Sequence, residues 1–252
     1  MGDGSGAAEF AAFTRAVGDV VGAPAGVLHA MRRPVEIQVV GRAGVGRSTL
    51  VSALERSGFA NVVEAPAVDV PGRTDPELGP DVVVYVFTGA LRTPDVRVLA
   101  KARRGSTVAV LAKADAFGSR EVAARASNAA AAETGVRTVP LSAGRDLAVV
   151  VDAVGAAVQV VQARRVREML DALAVTAAQD VGGAIRDGIE AFLRSDPAVF
   201  AASESAAVLG ADDRGADDRG ADEEDSEGDR RRRAVVERRA RTRRAVAAGT
   251  SR

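Results

Sequence analysis

Between residues 34 and 161 the chain alternates two patterns. Short, mostly apolar runs at 35–40, 67–70, 81–88, 106–112 and 137–141 are separated by stretches (48–56, 93–104, 119–134) with apolar residues three and four apart. The first pattern, rich in valine, predicts strands; the second predicts helices. Strands without polar alternation have both faces buried, which is the signature of a parallel sheet between helical layers. The expected class is therefore α/β, three-layered, with a mostly parallel sheet.

Helical patterning resumes near Asp146 and continues to Leu193, weakened at Gly182-Gly183. Ser195-Asp196-Pro197 interrupts it, and one more helical stretch is expected to end near Leu209. At the other end, Phe10, Phe13, Val17, Val20 and Val21 fall at helical spacing before a break at Gly22-Ala23-Pro24. This segment is expected to cover one flank of the domain. Docking on a membrane or partner is the alternative, but the basic face of a surface-seeking helix is missing. The organisation expected is a helical segment (1–34), an α/β domain (35–161), a helical extension (162–209) and a tail (210–252).

The tail changes character. Gly-Ala-Asp-Asp-Arg at 210–214 repeats at 215–219, and ten acidic residues lie between Asp212 and Asp229. Nine arginines follow between Arg230 and Arg244. Such blocks cannot bury enough apolar surface to fold alone, so a disordered tail is expected. The arginines could meet nucleic acid or anionic lipid. The acidic block could equally neutralise them in cis, and the tail has no aromatic residue for base stacking.

Composition narrows the chemistry. The 252 residues carry no net charge and no cysteine, which excludes disulfides and thiolate metal sites. A single histidine, His29, argues against a histidine metal centre or a Ser-His-Asp triad. No uninterrupted apolar run reaches the roughly 18 residues of a spanning helix. The opening Met1-Gly2-Asp3-Gly4-Ser5-Gly6 lacks the basic start of a secretory signal, so the cytoplasm is the expected compartment.

One segment carries specific chemistry: Gly41-Arg42-Ala43-Gly44-Val45-Gly46-Arg47-Ser48-Thr49, directly after the first strand. It follows G-x-x-x-x-G-K-[ST], a loop whose backbone N–H groups cradle phosphates at a helix N-terminus. In this reading Gly41, Ala43, Gly44, Val45 and Gly46 line the phosphates. Ser48 ligates Mg²⁺ and Thr49 touches the α-phosphate. The lysine that reaches the β- and γ-phosphates is replaced by Arg47, whose broad, planar guanidinium cannot occupy the same volume. Weaker binding or slow turnover is expected.

Three further segments follow predicted strands. Asp69-Val70-Pro71-Gly72 matches D-x-x-G, with Asp69 on Mg²⁺ through water and the Gly72 amide at the γ-phosphate. Ala112-Lys113-Ala114-Asp115 matches N-K-x-D with alanine for asparagine. Asp115 suits the paired N1 and N2 donors of guanine, and the Lys113 stem would lie over the base. Ser142-Ala143 is placed as a loop whose amide contacts guanine O6. All four lie where open α/β sheets hold ligands. Arg47 and Gly72 are the candidates to act on the γ-phosphate.

In these motifs, residues 35–160 resemble the Era-like branch of translation-factor-related P-loop GTPases. The short span between phosphate loop and D-x-x-G is similar to that of ethanolamine/propanediol-utilisation GTPases, and kinship to bacterial dynamin-like GTPases is a further option. The resemblance implies GTP/GDP binding, Mg²⁺ dependence, a nucleotide-controlled switch and a protein partner or homodimer. The chain departs from the family in having no threonine between Thr49 and Asp69, and Arg73 where some relatives carry a water-orienting glutamine. Three readings stay open: a GTPase-like protein with weak or partner-dependent hydrolysis, a degenerate GTPase serving as a scaffold, and an ATPase sharing only the phosphate loop.

Overall fold

Valine-rich strands fix the centre of the molecule. The computed structural model describes residues 4–20, 22–79, 81–142, 145–179 and 183–217. Five strands, β1 (Ile37–Gly41), β2 (Val62–Glu64), β3 (Val82–Phe87), β4 (Thr107–Ala112) and β5 (Arg137–Leu141), form one sheet in the order β2-β1-β3-β4-β5. Every pairing is parallel, so all C-terminal strand ends share one edge. Pro140 is tolerated because β5 is an edge strand and its missing N–H breaks no inner ladder.

All residues of β3 and β4 are buried, and their alternation feeds two cores. Val82, Val84 and Val86 join Leu50 and Leu54 of α3 (Arg47–Arg56), and Val150, Val154 and Val161 of α6 (Leu147–Gln179). Val83, Tyr85 and Phe87 join Val98 and Leu99 of α4 (Thr93–Leu99), and Ala130 of α5 (Arg120–Thr134). Helix, sheet and helix therefore make the three layers. Each fully buried valine contributes roughly 1.5–2 kcal/mol, which lets a core with few aromatics hold.

Further along, α6 enters a third cluster. Val166, Met169 and Leu173 pack with Phe13 and Val17 of α1 (Gly4–Gly18), and Met31 of α2 (Ala25–Arg32). Ile189 of α7 (Ala184–Leu193) and Ala198 of α8 (Asp196–Asp217) complete it. By length and composition alone α6 could cross a membrane. Its buried side chains instead line two cores, an arrangement compatible with folding in water. The helix also runs unbroken across the boundary expected at 161/162.

The structure corrects several expected elements. The second strand lies at Val62–Glu64, not at 67–70. The Ala65 N–H donates to Val39 O at 3.0 Å and the Val68 N–H to Gly41 O at 3.0 Å, so three residues span what β1 covers in two. Pro66 between them has no N–H to give, which bulges the segment and leaves Val68 a lone bridge to Arg42. The helix expected over 93–104 stops at Leu99, with a 3₁₀ turn at Arg104–Ser106. The last helix passes Leu209 and reaches Asp217, although a tail was expected from 210. The rest of that tail, with its arginines, lies outside the described residues, as do 180–182 at the expected Gly182-Gly183 break.

A buried ionic clamp closes the sheet edge opposite the loops. Asp81, ahead of β3, accepts from Arg33 at 2.7 Å, from Arg165 of α6 at 2.8 Å and from the Glu36 N–H at 3.0 Å. Arg165 also donates to Arg33 O, joining α6 to the chain entering β1. Burial pushes the Asp81 carboxyl up, but the Glu36 N–H and the two guanidiniums outweigh it and hold it below 3.8. Asp81→Asn is expected to cost about 3 kcal/mol at neutral pH in urea unfolding, because Arg165 loses its buried counter-charge. A lowered folded pKa gives stability that is full above the unfolded value and fades as pH falls through the folded one. Wild-type and variant stabilities should thus converge in acid below pH 3.8; a constant gap would mean that the charge is not what matters.

Candidate functional site

Strand order places the crevice. The chain leaves β1 towards β2 on one side and β3 lies on the other, so the β1 loop sits at the point where the order reverses. Gly41 ends β1 at φ 155°, and a Cβ there would stand 2.3 Å from Val86 O and 3.2 Å from a Val45 methyl. Only glycine permits this approach of β1 to β3. Val45 is buried in the core beneath, anchoring the middle of the loop. Gly46, at φ 104°, turns the chain into α3, where the Leu50 N–H returns to Gly46 O at 3.1 Å.

A Cβ on Gly44 or Gly46 would meet nothing within 4 Å, so the turn faces open space. Ala43, Gly44, Ser48 and Thr49 are exposed around it. The first turn of α3 has no intrahelical acceptors for its N–H groups, and its dipole is positive there. An anion suits this cradle. Ser48 offers a hydroxyl and Asp69 an exposed carboxylate. Such a small oxygen set suits Mg²⁺, which keeps several waters and takes further oxygens from phosphate.

The loop's arginines do not point at that space. Arg47, only 13% exposed, donates to Ala65 O and lies 3.3 Å from Glu64 at the end of β2. Arg42 reaches the other way, to Asp95 of α4 at 2.9 Å. Asp95 also accepts from the Tyr85 hydroxyl at 2.7 Å and the Arg92 N–H at 2.8 Å. Burial, then the Asp95 carboxylate, drives the Tyr85 pKa far above its ordinary value, so the phenol stays protonated and donates. One Arg42 nitrogen, Nη2, is buried without a hydrogen-bond partner.

Lys113 does meet the loop. Its backbone is left-handed (φ 57°), and its Nζ donates to Gly44 O at 3.2 Å. Asp115 follows in a short 3₁₀ turn over 114–117 and is exposed. Across the crevice, the bridge of Val68 to Arg42 carries Asp69 beside the loop. The Asp69 N–H donates to Asp75 at 2.9 Å, and Asp75 pairs with Arg97 of α4 at 2.7 Å. The Asp69 N–H is the main cause holding the Asp75 carboxyl below its usual range, with Arg97 assisting. Gly72 closes a turn in which the Arg73 N–H meets Val70 O at 3.1 Å.

Ser142 follows β5, half-buried, whereas Ala143 lies outside the described residues. Asp146 ties this loop to the start of α5: it pairs with Arg120 at 2.6 Å and with the Ser142 side chain. Arg120 foremost holds the Asp146 carboxyl below its ordinary value. Asp69, Lys113 and Asp146 are the non-glycine residues with positive φ among those described, and each lies in one of these loops. Strained backbone of this kind gathers at functional sites.

Sequence reasoning missed Glu64, Asp75, Tyr85, Asp95, Arg97 and Arg120. Two left signals: Tyr85 is the one hydroxyl in a valine strand and must find a partner, and Thr93-Pro94-Asp95 is a helix-start pattern. A cavity of about 1010 Å³ lies elsewhere, between α1, α6 and α8, lined by Phe10, Phe13, Phe59, Val166, Phe200 and Val208 among others. Comparison of the chain with models of known protein families and with curated protein sequences found no match.

The close approach at Gly41 makes a definite demand. Gly41→Ala is expected to lower unfolding stability by about 2–4 kcal/mol, since the β1–β3 ladder must part. Gly44→Ala, strained only by its positive φ of 76° in open space, should cost less than half of that. Equal losses in urea unfolding would contradict the assigned contact.

Proposed function

We propose that the chain is a guanine-nucleotide-binding protein of the kind found in Era-like P-loop GTPases, with weak or partner-dependent hydrolysis. The observation that carries this reading is the Lys113 Nζ to Gly44 O bond, which joins the loop suited to phosphate to the loop suited to a base. Backbone N–H groups around Gly44 and Gly46, with Ser48 and Thr49, hold the phosphates. Asp115 reads guanine by accepting from N1 and N2, and Lys113 lies over the ring. The Ser142 loop stands ready to border the base, tethered through Asp146 to Arg120. Mg²⁺, taken by Ser48 and Asp69, would offset phosphate charge.

Slow turnover follows from two features. Arg47 is held by Ala65 and Glu64, and Arg73 follows Gly72 where some relatives carry a water-orienting glutamine. A partner or second copy that supplies a water-positioning group would complete the site. The cytoplasm, where GTP is plentiful, is the compartment that suits this activity.

A second reading, a degenerate GTPase acting as a scaffold, is favoured by the apolar cavity between α1, α6 and α8, with Phe200 46% exposed on its wall. Titration of fluorescent GDP and GTP with Mg²⁺ separates the two. The nucleotide reading expects micromolar binding, and Lys113→Met should weaken it about tenfold. Asp115→Asn should shift preference from guanine to xanthine. No binding at millimolar GDP or GTP would support the scaffold.

A further inference from the structure

We infer that Glu64 is a positioning residue of the proposed phosphate site: it competes with phosphate for Arg47 and holds that guanidinium out of the loop. The inference rests on the phosphate-loop reading above. Its observation is independent of the motif match, because Glu64 belongs to no motif.

Strand geometry puts Glu64 where it can act. Side chains two apart share a face of a strand. Val62 packs against the core that holds Leu50 and Leu54 of α3, so Glu64 stands on that same α3-facing side, at the C-terminal end of β2. Arg47 opens α3. Its Nη2 lies 3.3 Å from the Glu64 carboxylate, and its Nη1 donates to the carbonyl of buried Ala65. The two terminal guanidinium nitrogens thus face Ala65 and the end of β2, which holds the planar group on that side and away from the open turn.

A lysine at this position would follow a different course. It has one compact charge on a flexible stem and can reach forward to β- and γ-phosphates. Arginine can do so only by leaving both Glu64 and Ala65. An entering anion must therefore displace a carboxylate that already neutralises Arg47. Glu64 is 32% exposed, which leaves its charge free to swing into water when displaced. The pair thus lowers the affinity of the loop for phosphate without blocking the loop itself.

A double-mutant cycle tests this, with fluorescent GDP and GTP titrated in Mg²⁺ against the full chain. The four proteins are wild type, Glu64→Gln, Arg47→Met and the double variant, each checked by thermal melting. Glu64→Ala serves as a second single variant should Glu64→Gln melt early. Removing the carboxylate is expected to tighten nucleotide binding about tenfold when Arg47 is present, and less than about twofold when it is absent. Equal affinity of wild type and Glu64→Gln overturns the inference and leaves the phosphate-loop reading standing. An equal gain with and without Arg47 overturns it too, since Glu64 would then repel nucleotide directly rather than act through Arg47. Absence of GDP and GTP binding by all the proteins removes the guanine-nucleotide reading, and this inference with it.

Discussion

Where β1 meets β3 at Gly41, the backbones approach so closely that a single methyl would strike the Val86 carbonyl. The rest of the site depends on that contact. It fixes β1 against the buried β3, carries the following turn to the crevice between them, and aims the N-terminus of α3 across the sheet edge. Because every strand is parallel, the loops after β2, β4 and β5 arrive at the same edge without further design. An α/β sheet of this order can only present its loops together.

Arginine dominates the charge chemistry, and here it is used for internal ties. Arg42 joins the loop to α4, Arg47 joins α3 to the end of β2, Arg97 joins α4 to the Asp75 turn, and Arg120 joins α5 to Asp146. At the opposite edge Arg33 and Arg165 share Asp81. Forked guanidiniums suit such work because one side chain can satisfy two acceptors in fixed geometry. Within the loop after β1, both arginines are directed away from the open turn, and Lys113 is the cation that meets the loop's backbone. This division separates the protein's scaffolding charges from the groups proposed to hold a ligand.

Much of the architecture was legible in the chain because burial on both faces leaves a direct mark. Valine-rich apolar runs named β3 and β4, and helical spacing between the apolar runs named α3 and α5. The second strand was misplaced because Ala67-Val68-Asp69-Val70 is no less apolar than Val62-Val63-Glu64. What separates them is a ladder interrupted at Pro66, and pairing with β1 is a long-range fact. The end of α8 was missed for a related reason: its last residues read as low complexity, and composition does not report where a helix stops.

The site divides along the same line. The sequence by itself determined the elements whose cause is local: glycines spaced for a tight turn at a strand end, a hydroxyl pair opening a helix, and acidic residues just past predicted strands. Only the tertiary structure decided which groups meet. That Arg47 turns to Glu64, that Arg42 serves Asp95, and that Lys113 reaches Gly44 each join residues at least 17 positions apart in the chain. Spacing along a chain carries no record of such contacts, because they follow from how helices and strands pack. A side chain's direction is settled by the nearest partner that packing supplies.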